Sequence, residues 1–404
     1  MEISCNFCGK DRKEAFKLIK SSKFAICDEC IRSCAELLDK EANDNIKQDK
    51  EVKSRINPIL IRQYLDQFVI GQEKAKIALS VGVANHYKRM LFTSKVELDK
   101  ANILLTGPTG TGKSFLIKNI ADYLSVPMAS ADATSLTEAG YVGDDVDIVI
   151  SRLLAAADGD IEAAQRGIVF IDEIDKIAKK SRGGSNSRDV SGEGVQASLL
   201  KMIEGTTVRV PIIGTRKQAN MPLVEIDTRG ILFVVGGAFV GLSEIINRRT
   251  NKTSIGFEGP VSTDATPDAV TPEDLITFGM IPEFVGRFPI LVGTNELTKS
   301  ELVRILLEPK NNLLQQCEFY FGVDDIGIEF TQKALEAVAD LTFKLKTGAR
   351  GLRSIIESAL LPYNYLLNDY KQRGIHKIII IPEVFTQNAE PELILHPDFK
   401  NMEK

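Results

Sequence analysis

The sequence predicts an α/β chain: a large domain on a parallel sheet, a small α/β domain behind it, and a metal-stapled module ahead. Three stretches carry that prediction. A glycine-rich turn at 107–114 lies between an apolar run and a helix-spaced apolar stripe. A second apolar run, 167–173, ends in two adjacent carboxylates about 60 residues after Lys113. Two Cys-x-x-Cys pairs stand near the N-terminus. The expected division is a module at 1–42, a flexible linker at 43–57, a large domain at 58–293, and a small domain with C-terminal tail at 294–404.

Composition sets the bounds. The 404 residues are enough for two or three domains. They are 44% hydrophobic and 26% charged, ordinary for a globular chain. The net charge of −5 gives no global basic excess for nucleic acid. No uncharged apolar run approaches the ~18 residues of a membrane span. The N-terminus has neither the apolar core of a secretory signal nor the Ser/Arg-rich character of a transit peptide. The expected location is cytoplasmic, where cysteines serve as ligands or buried thiols and not as disulfides.

The N-terminal module reads as a zinc site. Cys5, Cys8, Cys27 and Cys30 form C-x₂-C-x₁₈-C-x₂-C, the spacing of a four-thiolate site. Each pair turns two sulfurs toward one ion, and tetrahedral Zn²⁺ clamps both turns. A segment of about 40 residues has too little core to fold alone, so the metal contributes folding energy. A redox reading needs one C-x-x-C in a βαβ setting, which is absent. Cys34 follows on the same helix face as Cys30 and is read as packing, as is Cys317. Lysines and arginines mix with Asp11, Glu14, Asp28 and Glu29, which favours protein docking over a phosphate track. The charged stretch after residue 38 has linker composition, so the module is expected to be tethered.

Gly107-Pro108-Thr109-Gly110-Thr111-Gly112-Lys113-Ser114 fits G-x-x-x-x-G-K-[ST], the phosphate-binding P-loop. Residues 101–106 supply the strand before it; Phe115 opens the apolar stripe after it. Glycines let backbone N–H groups fold around phosphate oxygens, and the helix N-terminus adds its dipole. Lys113 is expected to reach the β/γ phosphates and Ser114 to hold Mg²⁺. In 167–173, Asp172 is expected to support Mg²⁺, and Glu173 to polarise the water that attacks the γ-phosphate. Upstream, two helical stretches flank Val69-Ile70-Gly71-Gln72. Beside a P-loop, Val69 and Ile70 are placed against an adenine base; without one they are merely a turn between packed helices. The strand at 231–235 runs into Gly236-Gly237, which carry no side chain, so no γ-phosphate sensor is assigned there.

Two Gly-flanked loops interrupt the large domain, one around Tyr141 and Val142, the other at 188–195. Glycines on both sides favour an exposed gripping surface over a packed core. Beyond 294, helical periodicity over 331–346 and 352–369 alternates with short strands at 326–330 and 377–381.

The order of CNFCGK, ICDEC, VIGQ, GPTGTGKS, TEAGYVG, GIVFIDEIDKI, RDVSGEGVQ, ILFVVGGAF, IPEFVGR and KTGARGLRS closely resembles the ClpX family of AAA+ ATPases, which unfold proteins for the ClpP peptidase. The match covers almost the whole chain. It implies an AAA+ P-loop NTPase fold and a homo-hexameric ring with a central channel. It also implies ATP, Mg²⁺ and Zn²⁺ as cofactors, and ClpP, substrate proteins and adaptors as partners. Tyr141 and Val142 match the first pore loop; Arg188, Val190 and their neighbours match the second. Arg287 matches the arginine finger that reaches a neighbouring subunit's nucleotide. Arg350 matches the sensor-2 arginine, which also binds nucleotide. A guanidinium binds phosphate oxygens bidentately, which suits both roles. Ile255-Gly256-Phe257, two apolar residues in a long polar loop, match the tripeptide that docks on ClpP. At the pore entrance the family's Arg-Lys-His reads Arg216-Lys217-Gln218 here: the cations remain and the histidine is gone. Hydrolysis of ATP is the covalent chemistry expected; no Ser/His/Asp arrangement points to peptidase activity. The alternatives are a stand-alone AAA+ chaperone and a nucleic-acid remodeller. The latter needs a basic channel, and Asp144, Asp145 and Asp147 beside GYVG oppose it.

Overall fold

Residues 4–11, 14–21, 24–35, 52–92, 96–137, 144–179, 192–211, 223–252 and 270–397 are described by a computed structural model. The chain divides into two units, Met1–Arg55 and Ile56–Lys404. In the first, β1 (Leu18–Lys20) and β2 (Ala25–Cys27) pair antiparallel, and helix α1 (28–35) follows directly. Its buried core is Cys5, Ala15, Cys27 and Cys30, with Leu18 and Ile26 packed against them. That is too little apolar surface to hold two strands and a helix by itself.

The second unit opens with α2 (Pro58–Leu65) and α3 (Glu73–Leu91). Asn57 caps α2 by accepting from the Ile59 N–H, and Pro58 occupies the first turn, where its missing donor costs nothing. β3 (Ile103–Thr106) leads through the P-loop into α4 (Lys113–Leu124). Then come β4 (Met128–Asp132), the short β5 (Leu136–Thr137) and β6 (Asp144–Asp145), α5 (Ile148–Ala156), α6 (Ile161–Gln165) and β7 (Ile168–Asp172). Helix α7 (Glu193–Glu204) precedes an antiparallel hairpin, β8 (Thr207–Pro211) and β9 (Leu223–Asp227), and the buried strand β10 (Leu232–Gly237). Helices α8 (Leu242–Lys252), α9 (Pro272–Phe278) and α10 (Pro282–Val285) lead to β11 (Ile290–Gly293).

The central sheet runs β11-β3-β10-β7-β4, parallel throughout. Both faces are covered, so β3 and β10 are buried at every position and read as continuous apolar runs, not alternating ones. Ile171 and Leu104 are both opposite Val235. β7 and β3 therefore release their C-terminal residues at the same edge of the sheet, where ligands of such folds bind.

The small domain contains α11 (Lys299–Leu307), α12 (Leu313–Val323), β12 (Gly327–Phe330), α13 (Gln332–Leu345), α14 (Ala349–Tyr365), α15 (Leu367–Gln372), β13 (Ile375–Ile380), α16 (Pro382–Thr386) and β14 (Glu392–Leu395). Its sheet, β12-β13-β14, closes over a separate core. Periodicity predicts one helix over 352–369; the structure breaks it at Leu366, whose N–H donates to Tyr363 O, one residue short of helical register. Pro362 already lacks the donor for the preceding turn. No described helix is long and apolar enough to cross a membrane.

Candidate functional site

The P-loop owes its shape to three glycines with positive φ: Gly107 (133°), Gly110 (80°) and Gly112 (92°). Thr111 is buried and its hydroxyl donates back to Pro108 O at 2.9 Å, closing the loop on itself. Lys113 is buried, and its ammonium donates to Gly107 O (2.6 Å) and Pro108 O (2.9 Å). Burial pushes the Lys113 pKa down, while Asp172 and Asp175 work the other way. Ser114 follows in the first turn of α4.

At the end of β7 the backbone is strained. Glu173 has φ 55° and ψ 31°, and its N–H donates to the Asp172 carboxylate at 2.9 Å. The left-handed region costs a non-glycine residue about 1–2 kcal/mol, and such strain collects at functional sites. Here it turns both carboxylates into one cleft of about 1030 Å³, at the upper end of the roughly 300–1,000 Å³ typical of ligand sites.

That cleft gathers residues from far apart in the chain. Thr109 to Phe115 form its floor; Val69 and Ile70 form an apolar end; Asp172 and Glu173 form an acidic wall. Arg350 enters from the small domain, one residue into α14, where Ala349 N–H donates to Gly110 O at 3.0 Å. Arg287 does not line the cleft of its own chain. It follows α10, half exposed, and pairs with Glu204 at 2.5 Å. Tyr141, Val142, Arg188, Val190, Arg216, Lys217, Ile255, Gly256 and Phe257 lie outside the described residues.

Asp175 in the cleft, and Gln72 and Thr294 behind its lining, have no role assigned from the sequence. Asp175 lines the cleft and is buried; its carboxylate accepts from Ala238 N–H at 3.1 Å. Gly237 of β10 makes room for it, since a Cβ there would stand 2.6 Å from Asp175 Oδ1. The third acid of Asp172-Glu173-Ile174-Asp175 was the available signal. Gln72, left-handed at φ 58°, grips the start of the small domain: its amide donates to Asn295 O (2.8 Å) and accepts from Asn295 N–H (2.9 Å). Thr294 is buried against the P-loop, its hydroxyl 2.8 Å from that of Thr111. Gln72 closes the VIGQ motif, which gives no hint of this partner, and Thr294 lies in no motif.

In the first unit, the sulfurs of Cys5, Cys8, Cys27 and Cys30 all lie within 4.8 Å of one another. The Cys5–Cys30 and Cys8–Cys27 sulfurs are 3.9 and 3.6 Å apart. Tetrahedral zinc with bonds of about 2.3 Å requires sulfurs about 3.8 Å apart, so the set fits that ion. Backbone N–H groups of Phe7 and Cys27 point at the Cys5 sulfur, and that of Cys30 at the Cys27 sulfur. Burial opposes ionisation of Cys5, but backbone N–H donors outweigh it and bring the thiol down to about 6. Burial pushes the Cys30 thiol up. A cation lets all four carry charge together. Cys34 is half-buried and outside the cluster; Cys317 is buried in the small-domain core.

A P-loop and an acid-tipped strand one position removed in the same parallel sheet, with an arginine delivered by a small C-terminal domain, define an AAA+ ATPase. Family models agree along the chain: an AAA domain (Cdc48 subfamily) matches 98–291, a ClpX C4-type zinc finger 3–40, and the C-terminal D2-small domain of ClpB protein 297–366. Two relatives, from Borrelia duttonii (strain Ly) and Borrelia recurrentis (strain A1), are each the ATP-dependent Clp protease ATP-binding subunit ClpX. Each is 46% identical over 400 residues, covering 96% of this chain and 92% of the relative. The chain belongs to the ClpX family. Its function is of the ClpX type: an AAA+ ATPase that unfolds proteins. The AAA domain implies use of ATP and Mg²⁺.

Proposed function

We propose that this chain is one subunit of a six-membered ring that hydrolyses ATP, draws tagged protein chains through a central channel, and feeds them to the ClpP peptidase. The observation that carries the reading is the shared cleft, where the P-loop, Asp172, Glu173 and Arg350 converge from two domains. The base of ATP packs on Val69 and Ile70, and its phosphates lie on Gly107 to Ser114. Lys113 and Arg350 bind phosphate oxygens, and Glu173 takes the proton of the attacking water. Ser114 and Asp172 hold Mg²⁺, which when bound neutralises charge on the phosphates. Arg287 serves the neighbouring subunit; its absence from its own cleft and its half-exposed position support this.

Tyr141 and Val142 grip the substrate, aided by Arg188 and Val190. Arg216 and Lys217 favour negatively charged tails, with Gln218 in place of the family's histidine weakening that preference. Ile255, Gly256 and Phe257 dock on ClpP, and the zinc module binds substrates or adaptors. The location is cytoplasmic. The test uses a stable fluorescent protein with an unstructured C-terminal tag, with and without ClpP, and Glu173→Gln as control. Signal is expected to fall only with ATP, and permanently only when ClpP is present. ATP turnover without loss of signal from any of several tags would refute the reading.

A further inference from the structure

Gln196 is fully buried in the first turn of α7. Its side-chain amide makes one bond of each kind. Nε2 donates to Ile177 O at 2.7 Å, and Oε1 accepts from Ile281 N–H at 2.9 Å. Ile177 closes the short helical turn that begins immediately after Glu173. Ile281 directly precedes α10, and Arg287 follows two residues after that helix. One side chain therefore joins the exit of the acid-tipped strand, the arginine segment and α7.

The two ends of α7 reinforce the link. Glu204, its last residue, pairs with Arg287 at 2.5 Å. Glu193, its first, pairs with Lys179 at 3.0 Å, and Lys179 N–H donates to Gly279 O at 2.8 Å, in the turn before α10. Packing alone does not call for an amide at position 196. Val195, Leu199, Met202 and Ile203 already anchor α7 in the main core. A buried amide is costly unless both its groups are bonded. Leucine satisfies neither backbone group, and an ionised carboxylate cannot donate to Ile177 O.

We propose that Gln196 is a positioning residue that carries displacements of the Glu173 turn and the Arg287 segment into α7, and so to the substrate-gripping segment that runs into its first turn. This rests on reading 188–195 as a substrate-contacting loop. The partners of Gln196 are backbone atoms of the turn that follows Glu173 and of the segment that leads through α10 to Arg287. Movement at either therefore shifts α7 as a unit.

The test compares full-length wild type with Gln196→Met and Gln196→Glu. The readouts are ATP hydrolysed per molecule of tagged fluorescent protein unfolded, nucleotide affinity and melting temperature. Gln196→Met should bind nucleotide as wild type does, yet consume about five-fold more ATP per molecule unfolded, mid-range for a coupling change. Gln196→Glu should show the same defect near pH 8. It should recover toward pH 6, because a buried carboxyl that gains its proton again donates and accepts. A wild-type ratio in both folded variants overturns the proposal. So does a pH-independent fall of hydrolysis and unfolding in the same proportion, which marks a merely structural role. If neither variant folds, hydrogen exchange in the Glu173→Gln protein decides. ATP should change exchange at Ile281 and across 193–199 together, and no change there overturns the proposal. Wild type that hydrolyses ATP but unfolds nothing removes the substrate-loop reading and this proposal with it. Wild type that unfolds, beside variants with an unaltered ratio, removes the proposal alone.

Discussion

Lys76 is a cation buried beneath the turn that forms the apolar end of the cleft. Its side chain is only 2% exposed; its partners Asp66 (2.5 Å) and Glu73 (2.9 Å) are 42% and 54% exposed. It also donates to Val69 O at 3.4 Å. The asymmetry of burial sets unequal costs for the two ways of breaking the cluster. In Lys76→Met the acids rehydrate, Glu73 keeps its 2.7 Å bond to Arg62, and the new side chain fills the space of the lysine stem. The loss is that of a charged hydrogen bond partly replaced by water, about 1–2 kcal/mol. In the double variant Asp66→Ala, Glu73→Ala, the ammonium stays buried with only a long carbonyl contact. Stranding a buried charge costs about 3–5 kcal/mol. The Lys76 ammonium, by its hydrogen bond and charge, holds the Glu73 carboxyl below its ordinary pKa, so the acid senses the pair despite its exposure. The assay is the urea midpoint of the full chain at neutral pH, beside the dissociation constant for ADP. Both variants should weaken ADP binding, since the Val69 turn loses its support, and the double variant should be the less stable by about 2 kcal/mol. A Lys76→Met protein as unstable as the double variant, or more so, would refute the argument from burial.

Other outcomes follow from the same geometry. Glu173→Gln should bind ATP normally and lose turnover by about 10²–10⁴-fold; single-turnover kinetics at the wild-type rate would remove Glu173 as the base. Arg287→Ala should lower turnover by about 10³-fold or more without changing nucleotide affinity, the mark of a group acting in the transition state; an affinity loss of similar size would place the arginine in its own chain's cleft. Chelation of zinc should abolish the fold of 4–35 while ATP turnover persists, checked by hydrogen exchange and hydrolysis on one sample; loss of turnover would refute the independence of the two units. Burial opposes the Asp274 carboxylate, but the Arg249 guanidinium at 2.9 and 3.0 Å and the Thr271 donors outweigh it and hold the carboxyl below its usual range. Its contribution to stability is full above the unfolded value of about 3.9 and is lost as pH falls through the depressed folded value. Asp274→Asn should therefore flatten the acid limb of the stability profile, and an unchanged limb would assign acid sensitivity elsewhere.

What the sequence revealed follows from how local each feature is. The P-loop, the acid-tipped strand and the cysteine pairs are contiguous, and each residue type answers to a nearby constraint: φ above zero, a buried parallel strand, two sulfurs on one turn. Arg350 was legible only through resemblance, because the contact that brings it to the P-loop, Ala349 N–H to Gly110 O, joins residues separated by most of the large domain and half of the small one. The roles of Gln72, Gln196 and Thr294 were not legible. Gln72 closes VIGQ and Gln196 closes RDVSGEGVQ, but neither motif says what its amide bonds to, and Thr294 lies in no motif. Each acquires its role from a partner far away: 223 residues for Gln72 with Asn295, 85 for Gln196 with Ile281, 183 for Thr294 with Thr111. The paired glycines of β10 show the reverse case. They looked empty of chemistry, and the emptiness of Gly237 is what admits Asp175, while that of Gly236 admits the Phe170 ring.

Those long contacts also explain why one cleft can serve both catalysis and movement. The small domain meets the P-loop at two places. Where it begins, Thr294 N–H donates to Thr106 O at 2.8 Å and its hydroxyl meets Thr111. At the start of α14, Ala349 N–H donates to Gly110 O, and a Cβ on Gly110 would run into the Thr347 carbonyl. A body fastened at two points on one short loop cannot follow a change in that loop's shape by sliding; it must turn about the line between them. The double hydrogen bond of Gln72 to Asn295 lies at the first fastening, so the turn that forms the apolar end of the cleft is bound into the same pivot. Two domains with separate cores are thus joined through the residues that surround the cleft. A ligand that reshapes the P-loop acts directly on the angle between them.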